Sequence, residues 1–116
     1  MAKKIQDIAH AYFDALKNHD FQTLRSLMAD DITFIGPLAK CKNADECMAG
    51  LQGLSSITTD IVIKHIWADD FDVITWLELH TTKTLEPLRI CNWMHIENEK
   101  IINIQVTFDP RALLAS

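Results

Sequence analysis

At Thr58 the chain changes its hydrophobic period, and that change limits the fold more than any other feature. Before it, apolar residues recur every three or four positions; after it come long runs rich in β-branched residues. Helices first and a meander of strands afterwards is the order of an α+β domain, with the helices packed on one face of an antiparallel sheet.

In the first half, Ile5, Ile8, Ala9, Tyr12 and Leu16 fall at i, i+3, i+4, i+7 and i+11, one stripe of an amphipathic helix. Asn18-His19-Asp20 breaks the stripe, and Asp20 can cap a second short helix carrying Phe21, Leu24, Leu27 and Met28, ended by Asp30-Asp31. Ile32 to Gly36 alternates and Pro37 stops it, which predicts a short strand. Asn43 followed by Glu46 is a capping-box pattern before a third helix with Cys47, Leu51 and Leu54 inward, weakened by Gly50 and Gly53. The runs Thr58 to Trp67, Phe71 to Lys83, Glu86 to Glu97 and Ile101 to Phe108 predict strands. Ala68-Asp69-Asp70, Thr84-Leu85 and Asn98-Glu99-Lys100 are connections short enough for antiparallel hairpins. Asp109-Pro110 reads as the start of a terminal turn through Leu114.

A length of 116 residues, without repeat or linker, suits one domain over residues 1–116. Apolar residues at 48% and charged residues at 23% give the balance of a globular chain. The net charge is −5 and Lys3-Lys4 is the only basic cluster, so nothing would neutralise a run of phosphates and no nucleic-acid partner is expected. No apolar stretch approaches the ~20 residues of a membrane span. The charged amphipathic start lacks the apolar core of a signal peptide, so no membrane association is expected. Cys41, Cys47 and Cys91 form no C-x-x-C pair, which fits reduced thiols in a cytoplasm. No Cys or His pair has finger-like spacing, and neither metal nor cofactor is expected.

Two segments carry a family resemblance: Leu27-Met28-Ala29-Asp30-Asp31-Ile32-Thr33-Phe34 at the first strand, and Thr107-Phe108-Asp109-Pro110 at the close. With the element order, they resemble the cone-shaped, cystatin-like fold of the nuclear transport factor 2-like superfamily. That group includes SnoaL-like polyketide cyclases, steroid Δ-isomerases and limonene epoxide hydrolases. The resemblance covers essentially the whole chain and implies N-terminal helices packed on a curved antiparallel sheet around a pocket. It implies no particular chemistry, because one fold hosts many functions. Where steroid isomerases place a tyrosine on the first helix, this chain has Tyr12. Their base position falls on Gly36 and their second acid on Cys91, and the last-strand acid of SnoaL-like cyclases falls near Val106.

Each candidate has a plain structural reading beside the functional one. Tyr12 is either a core aromatic whose hydroxyl meets the backbone or a donor to a ligand oxygen. Alternation puts Arg89, Cys91, Trp93 and His95 on one face of their strand and Leu88, Ile90, Asn92, Met94 and Ile96 on the other. The resemblance assigns the first set to the cone interior. Arg89 would then sit at the mouth, since an unpaired buried charge is too costly. Cys91 would be an inert thiol, because His95 lies ~13 Å along the strand. Trp93 would wall the pocket. Asp109 suits the turn before Pro110, while Trp76, Glu78 and His80 suit the outer face. Two functions stay open. One is a small apolar ligand or substrate held by Tyr12, Phe34, Arg89, Cys91, Trp93 and Phe108, with Tyr12 catalytic in a proton-transfer isomerase, cyclase or lyase. The other is a non-catalytic binding or assembly module with a filled cone. A homodimer through the sheet is expected, because Leu88, Ile90, Met94 and Ile96 would otherwise leave an apolar outer face.

Overall fold

The first amphipathic stripe folds as α1 (Ala2–Lys17) in a computed structural model that describes residues 2–114. Ile5, Ala9, Tyr12 and Leu16 are buried as their spacing requires, and Phe13 and Ala15 join them. The helix closes in a Schellman turn: the Asp20 N–H donates to the Ala15 carbonyl at 2.8 Å and the His19 N–H to that of Leu16 at 3.4 Å. His19 holds the position usual for glycine, at φ 59°. Its Nδ1 bonds the hydroxyl of buried Ser55, and that hydroxyl donates to the Leu16 carbonyl at 3.0 Å. The Ser55 proton is thereby committed, so His19 carries its own on Nδ1. The turn is pinned to the third helix by a side chain glycine could not supply.

Asp20 then caps α2 (Phe21–Ser26), its carboxylate accepting the Thr23 N–H at 3.2 Å. The first strand, β1 (Met28–Ile35), begins at Met28 rather than Ile32, so Leu27 and Met28 belong outside the helix. Tertiary pairing decides this: Met28 lies opposite Ile101, and the Ile101 N–H donates to the Leu27 carbonyl at 2.8 Å. No local pattern marks β2 (Lys40–Cys41), two residues that pair antiparallel to β1. Helix α3 (Ala44–Ile57) is capped by Asn43, whose side chain accepts the Glu46 N–H at 2.9 Å, while the Glu46 carboxylate accepts from Lys42 N–H at 3.0 Å.

The meander follows as β3 (Thr58–Ala68), β4 (Asp72–Thr81), β5 (Leu88–Glu97) and β6 (Lys100–Thr107), then a short α4 (Arg111–Leu114). Asn98 and Glu99, at φ 53° and 63°, make the two-residue turn between β5 and β6 that right-twisted strands favour. The six strands run in the order β2-β1-β6-β5-β4-β3. The sheet is mixed rather than wholly antiparallel, because β1 lies parallel to β6. Register shifts in the β1–β6, β3–β4 and β5–β6 pairings bend it around the helices. Helix α1 covers β3, and α3 covers β1.

One expectation about the sheet is overturned. Leu88, Ile90, Asn92, Met94 and Ile96 are the buried set on β5, and Arg89, Cys91, Trp93 and His95 face outward. A shift of one residue in a distant resemblance exchanges the two faces of a strand. Hydrophobicity decides which face turns in, since burying Met94 and Ile96 stabilises by about 1.5–3 kcal/mol each. The four apolar residues thought to make a dimer face are therefore core. The outer face instead exposes Trp67 (53%), Ile74 (38%), Trp76 (40%) and Trp93 (44%).

Candidate functional site

Between the helices and the concave side of the sheet lie two adjoining chambers. The outer one has about 420 Å³, within the usual range of small-molecule pockets. It is framed by the β1–β2 connection, α3, the turn after β4 and the chain around α4. The inner one has about 80 Å³ and reaches Tyr12 on α1 and Asn92 on β5. Phe34, Leu51, Leu54, Val106, Phe108 and Leu113 line both.

The local sequence explains the opening. Gly50 and Gly53, one helical turn apart on α3, line the outer chamber, and a Cβ added at either would meet nothing within 4 Å. The glycines that weaken α3 thus keep its cavity side open. Gly36 closes the end of β1, its N–H donating to the Ala39 carbonyl at 2.9 Å. A Cβ there would stand 3.2 Å from the Phe34 ring. The position where the resemblance puts a catalytic base therefore lines the cavity without a side chain.

Three of the six expected site residues meet in this space: Tyr12 in the inner chamber, Phe34 and Phe108 along both. Arg89, Cys91 and Trp93 do not. Arg89 is exposed opposite Glu78, and Cys91 lies between Trp76 and Thr107 on the outer face. Trp93 donates its indole N–H to Asp72 Oδ1 at 2.9 Å. The same oxygen lies 2.8 Å from His95 Nδ1, and His95 Nε2 lies 2.8 Å from Glu97 Oε2. An imidazole with a carboxylate on each nitrogen is best satisfied as the cation, and the bonds to Asp72 and then Glu97 hold its pKa above the ordinary value. Burial disfavours the ionised Asp72, but the bonds from His95 and Trp93 outweigh it and keep that carboxyl below its usual range.

Inside the cone, every weak acid is held neutral. Burial, and then the Cys47 thiol, push the Tyr12 hydroxyl far above its ordinary range. Burial, and then Cys41, raise Cys47 to about 12; burial, and then Glu46, raise Cys41. No Asp, Glu or His lines either chamber among the described residues. The sequence reading missed Asn92, which is 4% exposed and whose amide oxygen has no hydrogen-bond partner. Its neighbour across the β4–β5 ladder is Thr75, fully buried with an equally unpartnered hydroxyl. The signal was there: Asn92 is the one polar residue in the apolar alternation of β5. Lys83, at the mouth, went unremarked for the ordinary reason that an isolated lysine in a turn carries no pattern. Among the described residues no group of three or more His, Cys, Asp or Glu is placed to hold a metal ion. No described helix is long and apolar enough to cross a membrane.

A curved six-stranded sheet wrapped by helices around an apolar cavity defines the nuclear transport factor 2-like class of α+β cones. Within it, the chain belongs to the SnoaL-like domain family, whose sequence profile matches residues 9–104. Among curated proteins none matches significantly. The fold is similar to that of an NTF2-like protein of unknown function from Cytophaga hutchinsonii, with a TM-score of 0.82 and 19% identity over 94% of this chain and 93% of that one. An LEH-like epoxide hydrolase of M. tuberculosis superposes with a TM-score of 0.82 at 18% identity, over 98% of this chain and 89% of that one. A de novo designed protein with a curved β-sheet gives 0.84 at 13% identity, over 94% and 88%. A designed chain alongside natural ones underlines that this likeness concerns backbone shape alone.

Proposed function

We propose that this SnoaL-like protein acts as one domain over residues 1–116 that binds a small apolar molecule in its cone, with Tyr12, Phe34, Phe108 and Asn92 against the ligand. The outer chamber of about 420 Å³ is the observation that carries this reading. The unpartnered amide oxygen of Asn92 can accept and the Tyr12 hydroxyl can donate, which together suit a hydroxyl at the inner end of that molecule. The absence of any carboxylate or imidazole along either lining, among the described residues, speaks against base-catalysed isomerisation, cyclisation or elimination, which needs a positioned proton acceptor. Binding without proton transfer is thus the favoured reading, and the outer volume weighs against a cone filled by its own side chains.

Uptake of an uncharged apolar dye such as Nile red, followed by its fluorescence, tests the reading. Gly53→Leu projects a side chain into open space at the mouth and should weaken uptake at least tenfold. It should also gain up to about 1 kcal/mol of helix propensity, so loss of binding would not reflect unfolding. Uptake that is absent from the wild type, or indifferent to Gly53→Leu, sinks the proposal.

The reading includes a homodimer through the outer sheet face, now centred on Trp67, Ile74, Trp76 and Trp93. Sedimentation at micromolar concentration should show a dimer that Trp76→Glu dissociates; a 13.2 kDa species alone would refute it. A cytoplasmic setting is supported by the free thiols of Cys41, Cys47 and Cys91.

A further inference from the structure

Among the described residues that line the outer chamber, Lys83 is the one that carries a charge. Its place is built rather than incidental. Thr82 donates its N–H to the carbonyl of Ile57, a cavity-lining residue at the end of α3, at 2.8 Å. The Thr81 hydroxyl oxygen accepts the backbone N–H groups of Lys83 at 3.1 Å and Thr84 at 3.2 Å. The turn is therefore fixed to the rim, and the lysine backbone with it. Four other cations are engaged, Lys4 with Glu99, Lys17 with Asp60, Arg25 with Asp30 and Arg111 with Asp109. Lys40, Lys42, Lys64 and Arg89 make no ion pair either, but among the described residues Lys83 alone of these unpaired cations lines the chamber. Among the described residues no carboxylate pairs with Lys83.

We infer that the ligand is an apolar carboxylate, its hydrocarbon body in the outer chamber and its anionic head on the Lys83 ammonium. This rests on the reading of the cone as a binding site and adds the charge class of its occupant. The chemistry is complementary at both ends. The apolar lining accepts a tail that water rejects, while the rim leaves the head half-solvated, so no charge is taken fully out of water. A lysine suits this place because its methylene stem can lie along the apolar lip with the ammonium in solvent. An amine would meet a like charge, and an alcohol would leave the cation unused.

Calorimetric titration with octanoate, octanol and octylamine near neutral pH tests the assignment. Lys83→Gln should weaken octanoate about three- to fivefold, the strength of an exposed ion pair, and leave octanol unchanged. Salt at about 0.5 M should weaken octanoate comparably in the wild type. Lys83→Glu should turn the preference toward octylamine. Octanoate affinity indifferent to both substitution and salt would overturn the inference, and continued octanol binding would leave the apolar-cavity reading intact. Equal losses for octanoate and octanol in Lys83→Gln would also overturn it, by reducing the lysine to a wall. If none of the three probes binds, the reading of the cone and this inference fall together.

Discussion

Replacing Asn92 with Leu should make the protein more stable and a poorer binder. The side chain is 4% exposed, its amide oxygen is unpartnered, and Leu88, Ile90, Met94 and Ile96 flank it on the same face of β5. A buried polar atom without a partner costs about 1–3 kcal/mol, and leucine, with the same branched skeleton but bulkier methyl ends, removes that cost. Imperfect fit of the branched side chain takes back up to about 1 kcal/mol. The net gain expected is about 1–2 kcal/mol, or a rise in Tm of roughly 5–10 °C for a domain of this size. Urea unfolding followed by circular dichroism measures it, and an unchanged m-value confirms that only stability has moved. In the same variant an oxygen-bearing apolar ligand should lose about fivefold or more in affinity, while a pure hydrocarbon keeps its own. A stability loss of about 1 kcal/mol or more would refute the reasoning, because it would mean that the amide is satisfied in the folded protein.

Tyr12→Phe should change stability by less than about 0.5 kcal/mol while weakening oxygenated ligands; a loss of about 1–3 kcal/mol with binding intact would assign the hydroxyl to the core. Glu99→Gly should raise stability by about 1 kcal/mol in thermal unfolding, since Glu99 sits at φ 63° and its pair with Lys4 is exposed. No gain would mean the turn relaxes without strain. His95, with its pKa raised above 6.5 by Asp72 and Glu97, contributes stability fully present below 6.5 and lost as pH rises through its higher folded-state value. Urea midpoints should decline across that interval in the wild type and stay level in His95→Gln; a parallel decline in both would remove His95 as the cause.

The helical half was legible wherever its signals were local. The α1 stripe, the Asp20 cap and the Asn43–Glu46 start of α3 are each written within a few residues and each formed. The start of β1 was not, because its strand character at Met28 comes from Ile101, far along the chain. The extent of β5 was read to within two residues, Leu88–Glu97 against Glu86 to Glu97, and its inward face wrongly. Alternation divides a strand into two sets, and only the balance of apolar burial says which set is inside. That balance is visible in Leu88, Ile90, Met94 and Ile96, and it outweighs the face that the resemblance assigns. Of the site, Tyr12, Phe34 and Phe108 were legible as apolar-stripe or strand residues. Asn92 was legible as the one polar residue in the apolar alternation of β5, though not the missing partner of its amide oxygen. Lys83 matters through its place at the rim, and no run of neighbours encodes that.

The parallel seam between β1 and β6 has a consequence for how the molecule assembles. Thr33 and Asn103, bonded at 2.6 Å, are separated by 70 positions in sequence. The hairpins from β3 to β6 join neighbours and close small loops, whereas β1 has only the two residues of β2 close by in the chain. The meander should therefore organise early, with β1 and α3 docking after the main barrier. Ile32→Val, fully buried in that seam, should quicken unfolding and leave refolding nearly untouched, displacing only the unfolding arm of the chevron. Equal displacement of both arms would place the seam in the folding nucleus instead. The elements expected to dock last, β1 and α3, also frame the mouth, so their local opening should give a ligand a way in while the β3–β6 meander stays paired.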